Sequence, residues 1–250
     1  MSDRIYCVNL KSSSSRRERM ESRFRNYGMT ERVTFVDGID FRDQIIDRYN
    51  LGRVSNELED DKWRKGMGCF LGHMKAIRTF LETTDESVPG AFICEDDIML
   101  HNQFESELAK IRENLPEQPS LILFGYMITS WNGIDFVGKD PSLRNLMNIK
   151  PKQVWGAQMY WISRRYAKDA LFLYDRPFKQ LDQEGKFRSS EVITQESNGY
   201  FVYPPLVIED GIDSDRAPED LPYHHNHFKY WGYDNYSKGE NTHVCPFAGK

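Results

Sequence analysis

The segment Ile93-Cys94-Glu95-Asp96-Asp97-Ile98-Met99-Leu100 places three consecutive carboxylates between two apolar runs. Ala91 to Cys94 read as a buried strand, and Ile98 to Leu100 return to apolar character. Carboxylates are rarely buried unless they are paired or bound to a metal. A cluster of them at the carboxyl end of a parallel strand sits where open α/β sheets bind ligands. The matching ligand is a hard divalent cation carrying a phosphate-containing substrate. The competing reading is a strand that ends in an acidic turn, and the spacing alone leaves both open.

The elements on either side set the context. Ile5 to Leu10 read as a first strand. Ser15 and Glu18 have capping-box spacing, and Met20, Phe24 and Tyr27 follow at helical intervals, with Gly28 suited to the helix end. Val33 to Val36 form a second strand closed by the Asp37-Gly38 turn. This β-α-β start favours a parallel sheet. Residues 41–65, rich in charge, read as a loop or lid. Gly66 to Gly68 precede a helix striped by Leu71, Met74, Ile77 and Leu81.

Beyond the acidic strand, Asn102 and Glu105 signal another cap, ahead of a helix with Phe104, Leu108, Ile111 and Leu115 on one face. Leu121 to Phe124 and Val154 to Ile162 read as strands, and Ser163 can cap a helix running through Ala167, Ala170 and Leu171. Tyr200 to Ile208 form a late strand, placed at an edge or bend by Pro204-Pro205. The expected fold is α/β, a mostly parallel central sheet flanked by helices. One domain over 1–215 carries a C-terminal arm over 216–250.

Composition narrows the function classes. The 250 residues are 39% hydrophobic and 28% charged, with 13 Tyr, 15 Phe and 5 Trp, which argues against disorder. A net charge of −5 and the lack of a basic block speak against a nucleic-acid partner. No stretch approaches the roughly 20 apolar residues of a membrane span, and the short apolar run after Arg4 does not read as a signal peptide. Cys7, Cys69, Cys94 and Cys245 are scattered without CxxC spacing, so neither a disulfide framework nor a zinc ribbon is expected.

Taken in order, six segments resemble glycosyltransferase family 25. They are Tyr6-Cys7-Val8-Asn9-Leu10 with Arg19, then Phe35-Val36-Asp37-Gly38, and Gly68-Cys69-Phe70-Leu71-Gly72-His73. Cys94-Glu95-Asp96-Asp97 follows, then Tyr160-Trp161-Ile162-Ser163 with Ala167, and last Pro205-Leu206-Val207. No single segment is specific; their joint order is. Where the family usually has Ser-His, this chain has Gly72-His73. The resemblance implies a GT-A fold, a UDP-sugar donor, Mn²⁺ dependence and transfer with inversion.

Residue roles follow from the chemistry together with that resemblance. A divalent ion neutralises a departing diphosphate. Asp97 is the expected direct ligand, Glu95 orients the cluster or reaches the metal through water, and Asp96 faces the donor ribose. Asn9, Asp37, His73 and, through the family match alone, Arg19 are candidates for donor binding. Arg16 reads as a surface residue pairing with Glu18 or Glu21. Inversion requires a general base, and Glu191 is the candidate, with Asp182 and Glu184 behind it. His224, His225 and His227 offer metal-ligand spacing, while the neighbouring Tyr230, Trp231, Tyr233 and Tyr236 suit either a sugar platform or core cover.

The expected acceptor is a glycan, a lipid-linked saccharide or a collagen-like hydroxylysine, and the expected compartment is a bacterial or virus-infected cytoplasm. A catalytically inactive relative kept as a binding module is the alternative. A nuclease using the His-Asn-His run is a third reading that the charge disfavours.

Overall fold

The computed structural model describes residues 4–49, 57–128, 145–149, 154–174, 193, 199–210, 231 and 233–236. The chain runs β1 (Ile5–Asn9), α1 (Ser14–Asn26), β2 (Val33–Asp37), α2 (Glu57–Thr83), β3 (Gly90–Cys94), β4 (Ile98–Leu100), α3 (Phe104–Glu113) and β5 (Leu121–Ile128). It continues through β6 (Asn145–Asn148), β7 (Val154–Ser163), α4 (Arg164–Tyr174), β8 (Gly199–Tyr203) and β9 (Val207–Glu209). The main path of the sheet is β2-β1-β3-β7-β5-β8-β6, with β9 joining β4 to β5. Strands β1, β2, β3, β5, β8 and β9 share a direction, and β4, β6 and β7 oppose it. The mostly parallel sheet expected from the β-α-β start is therefore present.

Side-chain alternation divides the core into two layers. Tyr6, Ala91, Ile93 and Tyr160 face α2 and α4 with Phe70, Ile77, Phe80 and Ala167. Ile5, Cys7, Phe92, Cys94 and Met159 face the other way, onto Met20 and Phe24 of α1 and Phe104, Leu108 and Ile111 of α3. Because α1 and α2 cover opposite faces, the order β2-β1-β3 creates a switch point between β1 and β3. A crevice at their carboxyl ends is the standard ligand position in such sheets. Asn9 ends β1, and Glu95-Asp96-Asp97 follow β3.

Several local expectations are corrected. The span 41–65 is not all loop: a 3-10 turn covers Gln44–Tyr49 and α2 begins at Glu57. Its apolar stripe runs Trp63, Met67, Phe70, Met74 and Ile77, all buried. Gly66 and Gly68 thus lie inside α2 and do not precede it. Neither capping box forms. The caps of α1 and α3 are Ser13 and Gln103, without side-chain hydrogen bonds, and Glu105 instead pairs with Arg32 at 2.5 Å.

Ser163 does cap α4, its Oγ accepting from the Tyr166 N–H at 3.2 Å. The late strand is split in two at Pro204-Pro205, with β8 between β5 and β6. Of the aromatic tail, Trp231 packs edge-on against Tyr203. Tyr236 is buried and donates to the Pro205 carbonyl at 2.7 Å. Both cover the core.

The two helical glycines differ in surroundings, which separates propensity from packing. A Cβ at Gly68 would stand 2.6 Å from the Ile39 carbonyl oxygen, whereas one at Gly66 meets nothing within 4 Å. Gly66→Ala should raise unfolding stability by up to about 1 kcal/mol through helix propensity. Gly68→Ala should lower it by about 1–3 kcal/mol, because overpacking against backbone outweighs the same gain. Urea midpoints of the two variants check the pair, and equal stabilisation of both would contradict the packing argument.

Candidate functional site

The carboxylate triplet leaves β3 at the switch point, and each acid finds a different environment. Parallel pairing of β1 with β3 brings Asn9 beside the turn, where its Nδ2 donates to Asp96 Oδ2 at 2.6 Å. From the first turn of α1, Arg16 Nη2 lies 2.5 Å from Asp96 Oδ1 and 2.7 Å from Asp97 Oδ2. One guanidinium thus bridges two neighbouring carboxylates. This corrects the surface reading of Arg16. It is Arg17 that pairs with Glu21, at 3.0 Å.

Burial is the main force on both acids. It raises Asp96 above the usual carboxylate range, while Arg16 and Asn9 act in the opposite direction. Burial raises Asp97 well above that range against the pull of Arg16, with Glu209, Glu95 and Asp96 adding to the rise. Asp97 Oδ1 is buried and receives no hydrogen bond among the described residues. Such an orphaned acceptor beside excess negative charge suits one more cation.

Glu95 turns to other partners. Its Oε1 is 3.3 Å from His73 Nε2 and 3.6 Å from Cys69 Sγ, both on α2. His73 is fully buried, and its Nδ1 sits 3.2 Å from the Tyr160 hydroxyl. Burial works against the imidazolium, but Cys69 and Glu95 outweigh it and hold His73 up to about 10. Burial raises the Tyr160 hydroxyl well above its ordinary value, so it stays neutral. Gly72, next to His73, lies against β1, where a Cβ would approach Val8 Cγ1 to 2.9 Å.

The other expected residues are placed unevenly. Asp37 pairs with Asn9 in register and is half-exposed, 3.1 Å from Lys11 Nζ. Arg19 Nε lies 3.2 Å from buried Asp210, which Arg23 also meets at 2.7 Å. Asp210 donates its N–H to the Asp97 carbonyl at 2.6 Å, so this cluster braces the back of the acidic turn. Glu191, Asp182, Glu184 and the run His224 to His227 lie outside the described residues.

Sequence reasoning missed Glu209, Asp210 and Gln158. Glu209 stands opposite Ile98 in the β9–β4 ladder and accepts from Gln158 Nε2 at 2.8 Å. The Gln158 carbonyl in turn accepts from the Glu95 N–H at 2.9 Å. The usable signal was the pair of acids directly after the apolar run Leu206 to Ile208. These acids end a strand just as the triplet does.

Among the described residues, no helix is long and apolar enough to cross a membrane. No curated protein matches the chain. The family model described as glycosyltransferase family 25 (LPS biosynthesis protein) matches residues 2–179. That match takes in Asn9, Arg16, His73 and the whole triplet, and it spans well over half of the 250 residues; the chain belongs to glycosyltransferase family 25.

Proposed function

We propose that the chain is an inverting, Mn²⁺-dependent hexosyltransferase. It would move galactose or glucose from a UDP-sugar to a hydroxyl of a glycan, lipooligosaccharide or hydroxylysine-type acceptor. The observation that carries this reading is the Asp96–Asp97 pair at the switch point, with Asp97 Oδ1 left without a partner among the described residues. The nearby donors Asp96 and Asp97 are all oxygen, the set a hard divalent ion prefers.

Asp97 would hold the ion directly, with Glu95 assisting through its orientation or a water. When bound, the ion supplies charge neutralisation for the departing diphosphate. Asn9 fixes the rotamer of Asp96, which we assign to the donor ribose. Arg16 keeps the two acids together and offers a guanidinium suited to phosphate oxygens. Asp37, at the end of β2, and Arg19, on α1 beside Asp210, are further donor contacts in this reading. Glu191 is the proposed base that takes the acceptor proton, opposite the leaving group. His73 is too deeply buried to touch a donor, so its part would be to hold Glu95.

Release of UDP from UDP-galactose or UDP-glucose should require Mn²⁺ and fall at least about 100-fold in Asp97→Ala, the usual scale for losing a charge-stabilising group. A folded Asp97→Ala protein with full activity would overturn the assignment. If no UDP-sugar shifts the melting temperature in the presence of Mn²⁺, the inactive binding module becomes the better reading.

The raised Asp97 carboxyl also has a stability consequence with a definite sign. A group whose value is raised on folding contributes stability below its unfolded value, near pH 4. That contribution is lost as pH rises through the folded value. The metal-free protein is therefore penalised at pH 7. Asp97→Asn should melt about 2–4 °C higher than wild type at pH 7 in chelator, a gain of about 1 kcal/mol. The gap should narrow as pH falls toward 4, and only the wild type should gain stability from Mn²⁺. Differential scanning fluorimetry across pH reads all three outcomes.

A further inference from the structure

Cys69, His73 and Glu95 are brought together by α2 and the end of β3, and the donor-metal reading uses only the His73–Glu95 contact of this convergence. Cys69 and His73 stand four residues apart, so one face of the helix carries both. Their ligand atoms and a Glu95 carboxylate oxygen all lie within 4.8 Å of one another.

We propose that Cys69 Sγ, His73 Nε2 and Glu95 Oε1 form a second metal site, one that takes a borderline-soft divalent ion of the Zn²⁺ class. Three observations support it. The separations are the first. Glu95 Oε1 stands 3.3 Å from His73 Nε2 and 3.6 Å from Cys69 Sγ. A strong charge-assisted N–H···O bond closes to about 2.7–2.9 Å. In a tetrahedral site with bonds of about 2.0 Å to N and O and 2.3 Å to S, neighbouring ligand atoms stand about 3.3–3.6 Å apart. Both measured separations agree with a ligand edge, and the His73–Glu95 one is longer than a tight ion pair.

The second is ligand orientation. His73 Nδ1 lies 3.2 Å from the Tyr160 hydroxyl. With Nδ1 engaged by that hydroxyl, Nε2 is the nitrogen turned to Glu95, where an incoming ion would displace its proton; metal-bound histidines take such an outer partner on the other ring nitrogen. The third is access. His73 is fully buried, while Cys69 and Glu95 are each half-buried. An ion therefore has an entry side, and its fourth position faces that side. The donor set also divides by softness. A thiolate and an imidazole select Zn²⁺ or Co²⁺, whereas the oxygen-only Asp96 and Asp97 suit Mn²⁺ or Mg²⁺.

Titration of the reduced, chelator-treated full chain with Co²⁺ tests the site by absorption, independently of glycosyl transfer. Wild type should show a saturable thiolate-to-cobalt charge-transfer band at one ion per chain, removed by Zn²⁺. Cys69→Ser should abolish the band, and Tyr160→Phe should weaken Co²⁺ affinity about 10-fold or more. Asp97→Asn should leave the band intact while losing the Mn²⁺ thermal shift, which separates this site from the donor-metal reading. Absence of the band in wild type overturns the proposal, and so does its survival in Cys69→Ser. Should Cys69→Ser fail to fold, an unchanged Co²⁺ affinity in Tyr160→Phe would overturn it equally.

Discussion

The contact of one guanidinium with two adjacent carboxylates governs this end of the molecule. Asp96 and Asp97 follow one another in the chain, so no backbone choice can carry them far apart. Unit charges about 4 Å apart interact by about 4 kcal/mol at the effective dielectric of a protein surface. Arg16 meets both acids at 2.5 and 2.7 Å and offsets that repulsion. The arrangement depends on β1 and β3 being parallel neighbours. That pairing places α1, and hence Arg16 and Asn9, beside the end of β3. Behind the turn, Arg19 and Arg23 converge on Asp210, whose N–H holds the Asp97 carbonyl. Cations from one helix therefore fix the acidic turn from its front and its back.

Much of the fold was legible because periodicity reports burial directly. The continuous apolar runs of β1 and β3 and the helical stripes of α1 and α3 needed no tertiary information. The start of α2 was hidden because Glu57 to Asp61 look like a solvated run. Trp63 and Met67, about two and three turns in, were the cue, and two glycines masked it. Gly68 is explained only by the chain it meets, the Ile39 carbonyl, which no local pattern reveals. Capping spacing failed twice for a related reason. A box at Asn102 and Glu105 competes with partners from elsewhere, and Arg32 took Glu105.

The site was legible in its acids and obscure in their partners. Three consecutive carboxylates stand out in any sequence, but the groups that tame them come from residues 9, 16, 158, 209 and 210. Arg16 illustrates the limit. Glu18 and Glu21 are near it in the chain, and local charge pairing was the natural reading. A pair of buried carboxylates is a much stronger attractor than an exposed helix neighbour, whose pair contributes only a few tenths of a kcal/mol. His73 shows the converse. The motif marked it as important, and only the structure shows it fully buried between Tyr160 and Glu95.

The energetic direction of the cluster also bears on whether the chain retains a catalytic role. Asp97 is raised well above the usual carboxylate range in spite of Arg16, which means that folding works against its charge. A group held at a loss to stability is most simply explained by a ligand that compensates for it. A binding module that recognises its target elsewhere on the surface gains nothing from such a group. An amide at position 97 would keep the Asp96–Arg16 contact and remove the loss. Retaining the carboxylate, with Oδ1 unpartnered among the described residues, is what the proposed cation-dependent diphosphate site would require. Glu95 sits beside this pair yet gives its Oε1 to a thiol and an imidazole. The turn therefore divides three acids between an oxygen-only face and one shared with a thiol and an imidazole, and under the two proposals a single strand end would serve two cations of different chemistry.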